Sequence, residues 1–422
     1  MLNHIVNGKK VPMFPKAQAH IPPKLPFDIA LGVSADSQQY GLIGESAGRK
    51  IAIDLNHPQT IISTGLQGSG KSYTCGSILE MSTQKFNGIN YLQHEMATVV
   101  FHFSETQTYT SESCSMIHPN DNAQQVRELQ AKYGARPSGL NDVIILCPKD
   151  KVEQRQEEHP DIQVLPLQFS SKQLHASHWK ILMGAAGNDA AYLRYLNQII
   201  RFYRNNITLD MLKDKILKSG LNDNIINLAM MRLMFAEQFI CEDSDIHSLL
   251  KPGRLVIVDI RDELTEKNEA LGLFIILLNL FSESRYQGKP FNKVIMFDEC
   301  HKYINNPSLV GALTEAVREM RHRGTSVILA SQDPQSIPTT LIELASIILM
   351  HKFNSPQWLK HLQLSNSALL NVSPEKLNTL KPGEAYIWAS KSTDIGFSRQ
   401  ANKIMSRPRV TKHGGDTLTA IR

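Results

Sequence analysis

The five cysteines of this 422-residue chain (Cys75, Cys114, Cys147, Cys241 and Cys300) form no CxxC pair and no His/Cys cluster at zinc spacing. That scatter excludes a disulfide framework and a structural zinc site, and fits reduced, mostly buried thiols in a soluble, cytoplasmic protein. Long apolar runs are missing too. The greasiest, Leu271 to Phe281 (LGLFIILLNLF), is bounded by Glu269 and Glu283. A membrane span needs roughly 20 residues, so this run predicts a buried core helix. The N-terminus, MLNHIVNGKKVPMFPK, has no apolar h-region and does not read as a secretory signal. An excess of one charge is scarce as well: 45 Lys+Arg against 40 Asp+Glu leaves +5, too little for a general polycation. What excess there is sits at the end. Arg399, Lys403, Arg407, Arg409, Lys412 and Arg422 stand there against one acid, Asp416. Such a segment reads as a solvated basic tail with a local anionic contact.

Against those absences, 42% hydrophobic and 20% charged residues supply a large core. The spacing predicts five segments. Residues 1–45 are an extended, Pro- and Lys-rich arm with short strands, and 46–170 carry strand signals at IAIDL, TIIST, ATVVFHFS, DVIILC and IQVLPLQF. Residues 171–250 switch to helical spacing and predict an all-α insertion. In 251–398, RLVIVDI, KVIMFDE, SVILAS and SIILMHKF alternate with helical stretches, and a late strand follows Lys381-Pro382-Gly383. The basic tail is 399–422. Near-continuous apolar strands alternating with helices predict an α/β fold with a largely parallel sheet covered on both faces.

One loop dominates the chemistry. Gly65-Leu66-Gln67-Gly68-Ser69-Gly70-Lys71-Ser72 matches GxxxxGK[ST] in full, with an apolar strand before it and a helix from Ser72-Tyr73 onward. Gly65, Gly68 and Gly70 let the backbone curl so that successive N–H groups point at a phosphate. Gln67, Ser69 and Tyr73 flank that cradle. Lys71 would reach the β- and γ-phosphates, and the Ser72 hydroxyl would hold Mg²⁺. No LSGGQ-type or NKxD-type motif accompanies the loop, which argues against a transporter subunit or a GTPase.

A phosphate loop needs a carboxylate on a second strand. KVIMFDECH offers Asp298 for the metal and Glu299, one residue on, to polarise water as general base. Asp259, ending RLVIVDI, competes for the metal role, but Ile-Arg follows it. SVILASQDP places Gln332 at a strand end, where an amide can orient water or sense hydrolysis. Before it, EAVREMRHRG carries Arg318, Arg321 and Arg323. These form either a solvated basic face or, through Arg321 or Arg323, an arginine finger for a neighbouring subunit.

Taken in order, GLQGSGKSYT, VIMFDECH, MRHRGTSVILASQDPQSIP and KPGEAYI resemble the HerA/FtsK superfamily of P-loop ATPases, HerA-like branch, over roughly residues 40–110 and 250–400. The resemblance implies a RecA-like core and a ring, usually a hexamer, with ATP and Mg²⁺ at subunit interfaces and double-stranded DNA in the pore. It implies Lys71 and Ser72 as the Walker A pair, Asp298 and Glu299 as Walker B, Gln332 as sensor, and Arg321 or Arg323 as the trans arginine. Where many relatives carry a DPHGE-like motif, this chain has HFSETQ with Glu105. The expected function is a DNA translocase or helicase working with a nuclease or other effector in DNA processing or antiviral defence. An ATP-gated scaffold and a secretion-type ATPase that moves protein are the alternatives. Pore loops are expected in 105–140 and after Gln332.

Overall fold

The computed structural model describes residues 26–35, 37–184, 191–203 and 207–415, plus the paired dipeptides Ile5–Val6 and Lys9–Lys10. The rest of the N-terminal arm, two short stretches of the helical insertion and the last seven residues lie outside it.

The main sheet follows from the apolar runs. Its strands are β1 (Ile29–Leu31), β2 (Tyr40–Ser46), β3 (Arg49–Asp54), β4 (Thr60–Thr64), β5 (Ala97–Ser104), β6 (Val143–Cys147), β7 (Gln163–Pro166), β8 (Leu255–Arg261), β9 (Lys293–Phe297), β10 (Thr325–Ser331), β11 (Ile347–Met350), β12 (Glu384–Ala389) and β13 (Asn402–Ser406). Their order is β7-β6-β8-β5-β9-β10-β4-β11-β12-β13-β2-β3-β1, with Asn90–Tyr91 paired to β2. From β7 through β11 every pairing is parallel; β11 to β3 pair antiparallel. Successive residues of a strand point to opposite faces, and both faces here are buried. In β5, Val99, Phe101 and Phe103 enter one apolar layer while Val100 enters the other.

Helix α1 (Lys71–Thr83) covers one face. On the other lies α7 (Lys267–Glu283), the greasy run, buried nearly all round as expected. Between them in chain order come the short α2 (Ala123–Glu128) and the insertion helices α3 (Ala176–Leu182), α4 (Ala191–Tyr203), α5 (Leu209–Leu217) and α6 (Asp223–Glu237). The insertion shares its core with α7 through Trp179, Leu196, Leu212 and Leu233. Its helices start where a side chain can cap them: Thr208 accepts from Met211 N–H and Asn222 from Ile225 N–H. Helix α8 (Pro307–Met320) leads through a short turn into β10. No helix among the described residues is long and apolar enough to cross a membrane.

The solvated basic tail is not what the fold contains. Residues 402–406 are β13, an internal strand between β12 and β2, and the chain then runs beside α1. Arg407 and Arg409 are buried. Glu80, on α1, receives Arg407 Nη1 at 2.7 Å, Val410 N–H at 3.0 Å and Thr411 N–H at 2.9 Å. Lys403 meets Glu384 and Lys412 meets Asp121. A local charge count cannot see acids that the fold brings alongside from elsewhere in the chain.

Candidate nucleotide site

The parallel register decides what sits together. Strands β9, β10 and β4 are adjacent and run the same way, so the residues after Phe297, Ser331 and Thr64 emerge along one edge of the sheet. There lies a cavity of about 660 Å³. Its walls include Gln67, Gly68, Gly70, Lys71, Ser72, Tyr73, Glu299 and Gln332. Gly65 and Ser69 stand behind this wall. A Cβ on Gly65 would come within 2.6 Å of His351 Cβ and of Ser69 Oγ, so only glycine lets the loop close there. Gly70, at φ +96° and with its missing Cβ 2.7 Å from Gly383 N, starts α1 in a conformation that side chains resist.

Lys71 and Glu299, 228 positions apart, meet at 2.5 Å with both side chains almost wholly buried. Burial opposes the ammonium, but the charges of Glu299 and Asp298 outweigh it and hold Lys71 above its ordinary pKa. Glu299 itself occupies the left-handed region at φ +46°. For a side chain this is a strained turn costing about 1–3 kcal/mol, and it places the carboxylate against Lys71. Burial works against ionised Asp298 too, yet contacts with His102 and Lys71 keep its pKa below the usual carboxylate value. Two carboxylate oxygens, Asp298 Oδ1 and Glu299 Oε2, are buried with no hydrogen-bond partner among the described residues. Glu299 shares the cavity wall with Ser72, while Asp298, the residue before it, is not among the lining residues; buried, unpaired carboxylate oxygens and a hydroxyl are the donor types a hard divalent cation takes. The residues therefore fit Mg²⁺.

The competitor carboxylate is otherwise engaged. Asp259 grips Arg261 through both oxygens and lies 3.3 Å from Arg155 Nε. Arg321 and Arg323 are not among the cavity-lining residues. They lie in the turn before β10, at the opposite edge of the sheet from the phosphate loop. Arg323 is held by Glu283 at 2.7 Å and Glu319 at 2.8 Å. Arg321 is exposed and makes no ion pair among the described residues. Glu105 is also outside the cavity, exposed and 3.3 Å from Lys267.

Three residues belong to this region that the motifs did not single out. His301 Nδ1 accepts from Gln332 N–H at 3.3 Å and sits 3.6 Å from Glu299 Oε2. Because that nitrogen accepts, it offers Glu299 a lone pair and no proton; burial also lowers the ring's pKa. His301 thus lies between Glu299 and the end of β10, and its place in the DECH string was the available signal. His102, buried on β5, reaches Asp298 Oδ2 at 3.5 Å. Glu112 lines the cavity, and burial followed by repulsion from Asp298 pushes its pKa up to about 7. Nothing in the spacing marked it, because it arrives at the start of a single short 3-10 turn, Glu112–Ile117, that carries no motif. The segment 105–140, expected to hold pore loops, contributes Thr108, Tyr109, Thr110, Glu112, Gln125 and Glu128 to the cavity wall.

No family model and no curated protein matches the chain. Solved structures do. VirB4 of Thermoanaerobacter pseudethanolicus aligns with a TM-score of 0.53 at 12% identity, covering 89% of this chain and 97% of its own. TrwBdeltaN70, a bacterial conjugative coupling protein, gives 0.51 at 12%, covering 88% and 90%. The plasmid coupling protein TrwB in complex with the GTP analogue GDPNP gives 0.52 at 13%, covering 92% and 98%. The fold is that of a RecA-like P-loop ATPase. At such low identity the likeness establishes architecture. The RecA-like sheet accounts for why the phosphate loop, the acidic pair and Gln332 converge: all three follow neighbouring parallel strands, where open α/β sheets bind ligands.

Proposed function

We propose that this chain is a ring-forming ATPase of the HerA-like branch that couples ATP hydrolysis to movement along double-stranded DNA, alongside a nuclease or other effector. The observation that carries the reading is the buried meeting of Lys71 with Glu299 on a wall shared with Ser72 and Gln332. Entering phosphates compete with Glu299 for the Lys71 ammonium. Once that ammonium turns to phosphate, Glu299 Oε1 is free to take a proton from the attacking water, which Gln332 orients. Ser72 and Asp298 would hold Mg²⁺, which when bound neutralises charge on the β- and γ-oxygens.

The test is ATPase activity of the purified protein with and without duplex DNA, across a salt series. Stimulation that falls steeply with salt is expected, because phosphate tracking releases counterions. Hydrolysis indifferent to DNA but raised by a protein partner would favour the scaffold or the secretion-type reading instead.

Arg321 is the better trans arginine, being exposed and without an ion pair among the described residues where Arg323 is engaged. Arg321→Ala should lower kcat by about 10³-fold or more while leaving nucleotide affinity nearly unchanged. Arg323→Ala should leave kcat within a few-fold of wild type. Steady-state ATPase assays on the assembled oligomer check the pair.

A further inference from the structure

The cavity extends well past the phosphate loop. Its wall also takes in Tyr73, Gln125, Glu128, Met405, Arg407 and Pro408. With phosphates at Gly68–Ser72, a sugar and base carried past Tyr73, the next residue of the chain, reach Gln125, which Tyr73 contacts. The side chains there are fixed. The Tyr73 hydroxyl accepts from Arg409 N–H at 2.7 Å, so its own proton goes to Gln125 Oε1 at 2.9 Å. Asn120 Nδ2 donates to the same oxygen at 2.9 Å and to Arg409 O at 2.7 Å. Two donors on Oε1 settle the amide orientation. Gln125 Nε2 is left as a donor with no partner among the described residues. Glu128, three residues on and so on the same face of α2, is purely an acceptor; its Oε1 holds Lys132 at 2.7 Å.

We infer that Gln125 and Glu128 form the base-reading subsite and that it selects adenine. This rests on the nucleotide reading above. Gln125, tied to Tyr73, is nearer the phosphate end, and Glu128 lies further out. Adenine presents, in that order from its sugar, the N7 acceptor and the N6 amino donor. Gln125 Nε2 donates to N7, and the amino group donates to Glu128. Guanine presents O6, a second acceptor, where adenine has its amino group, and O6 repels the carboxylate. Pro408 and Tyr73 supply the apolar walls for the ring.

The experiment is equilibrium binding of fluorescent ATP and GTP analogues to the full chain. Wild type should favour ATP. Glu128→Gln replaces the acceptor with a group that can also donate, so the ATP-over-GTP preference should fall by about tenfold. Lys132→Met, which removes the partner of Glu128 but no cavity-lining group, should leave the preference unchanged. An unaltered preference in Glu128→Gln, an equal fall in Lys132→Met, or a wild-type preference for GTP would each overturn the adenine subsite while leaving nucleotide binding intact. Failure of the wild type to bind either nucleotide would instead remove the nucleotide reading itself.

Discussion

Lys71→Ala should abolish ATP hydrolysis, lowering kcat by at least about 10²–10³-fold, the usual consequence of removing a preorganised charge donor from a developing anion. This site adds a second cost. The Glu299 side chain is about 3% exposed, and its contact with the ammonium is 2.5 Å. Removing one partner of a buried pair leaves the other uncompensated, at roughly 3–5 kcal/mol. Lys71→Ala should therefore lose stability as well as activity. Glu299→Gln should behave differently. The amide leaves the buried Lys71 ammonium with Asp298 alone for opposite charge until phosphate arrives, so the nucleotide-free protein should lose some stability, nucleotide binding should survive, and hydrolysis should be lost. Single-turnover hydrolysis, calorimetric nucleotide titration and denaturant midpoints on both variants test this. Wild-type turnover in Lys71→Ala would remove the motor and scaffold readings together.

Glu80→Ala should be among the most destabilising single changes in the chain, although Glu80 lies outside the cavity. Its carboxylate is fully buried and anchors Arg407, Val410 N–H and Thr411 N–H. Truncation strands the Arg407 guanidinium, itself about 1% exposed, at roughly 3–5 kcal/mol. That is a large share of a typical total of about 5–15 kcal/mol. Glu384→Ala is the contrasting case. Its pair with Lys403, whose side chain is about half exposed, should be worth no more than about 1 kcal/mol. Urea denaturation midpoints of the two variants decide between these magnitudes. An unchanged midpoint in Glu80→Ala would mean that the segment after β13 is not held as described. Limited proteolysis near Lys412 gives an independent reading, since release of the segment after β13, a strap along α1, exposes that bond.

Much of the cavity edge was legible along the chain because its parts are local strings. A glycine loop between an apolar strand and a helix, and an acidic pair ending another apolar strand, each carry their own signature. The strands themselves stood out for the same reason: a run such as ATVVFHFS is buried on both faces and so is apolar nearly throughout. Arg407 and Arg409 went the other way. Their positive charge suggested solvent, and only the approach of α1 shows Glu80 waiting for them. His301 was visible inside DECH, but its contact with the backbone of Gln332 needs the neighbouring strand.

The sequence by itself determined the glycine loop between strand and helix, the alternation of strands and helices, and the greasy core helix. Each depends on residues a few positions apart. Only the tertiary structure decided that Asp259 is spent on two arginines, that Arg323 is paired while Arg321 is exposed, and that α2 with the strap after β13 completes the cavity. Those facts depend on which distant side chains become neighbours. Pairing, burial and desolvation are properties of that neighbourhood, so they cannot be read from the order of residues along the chain.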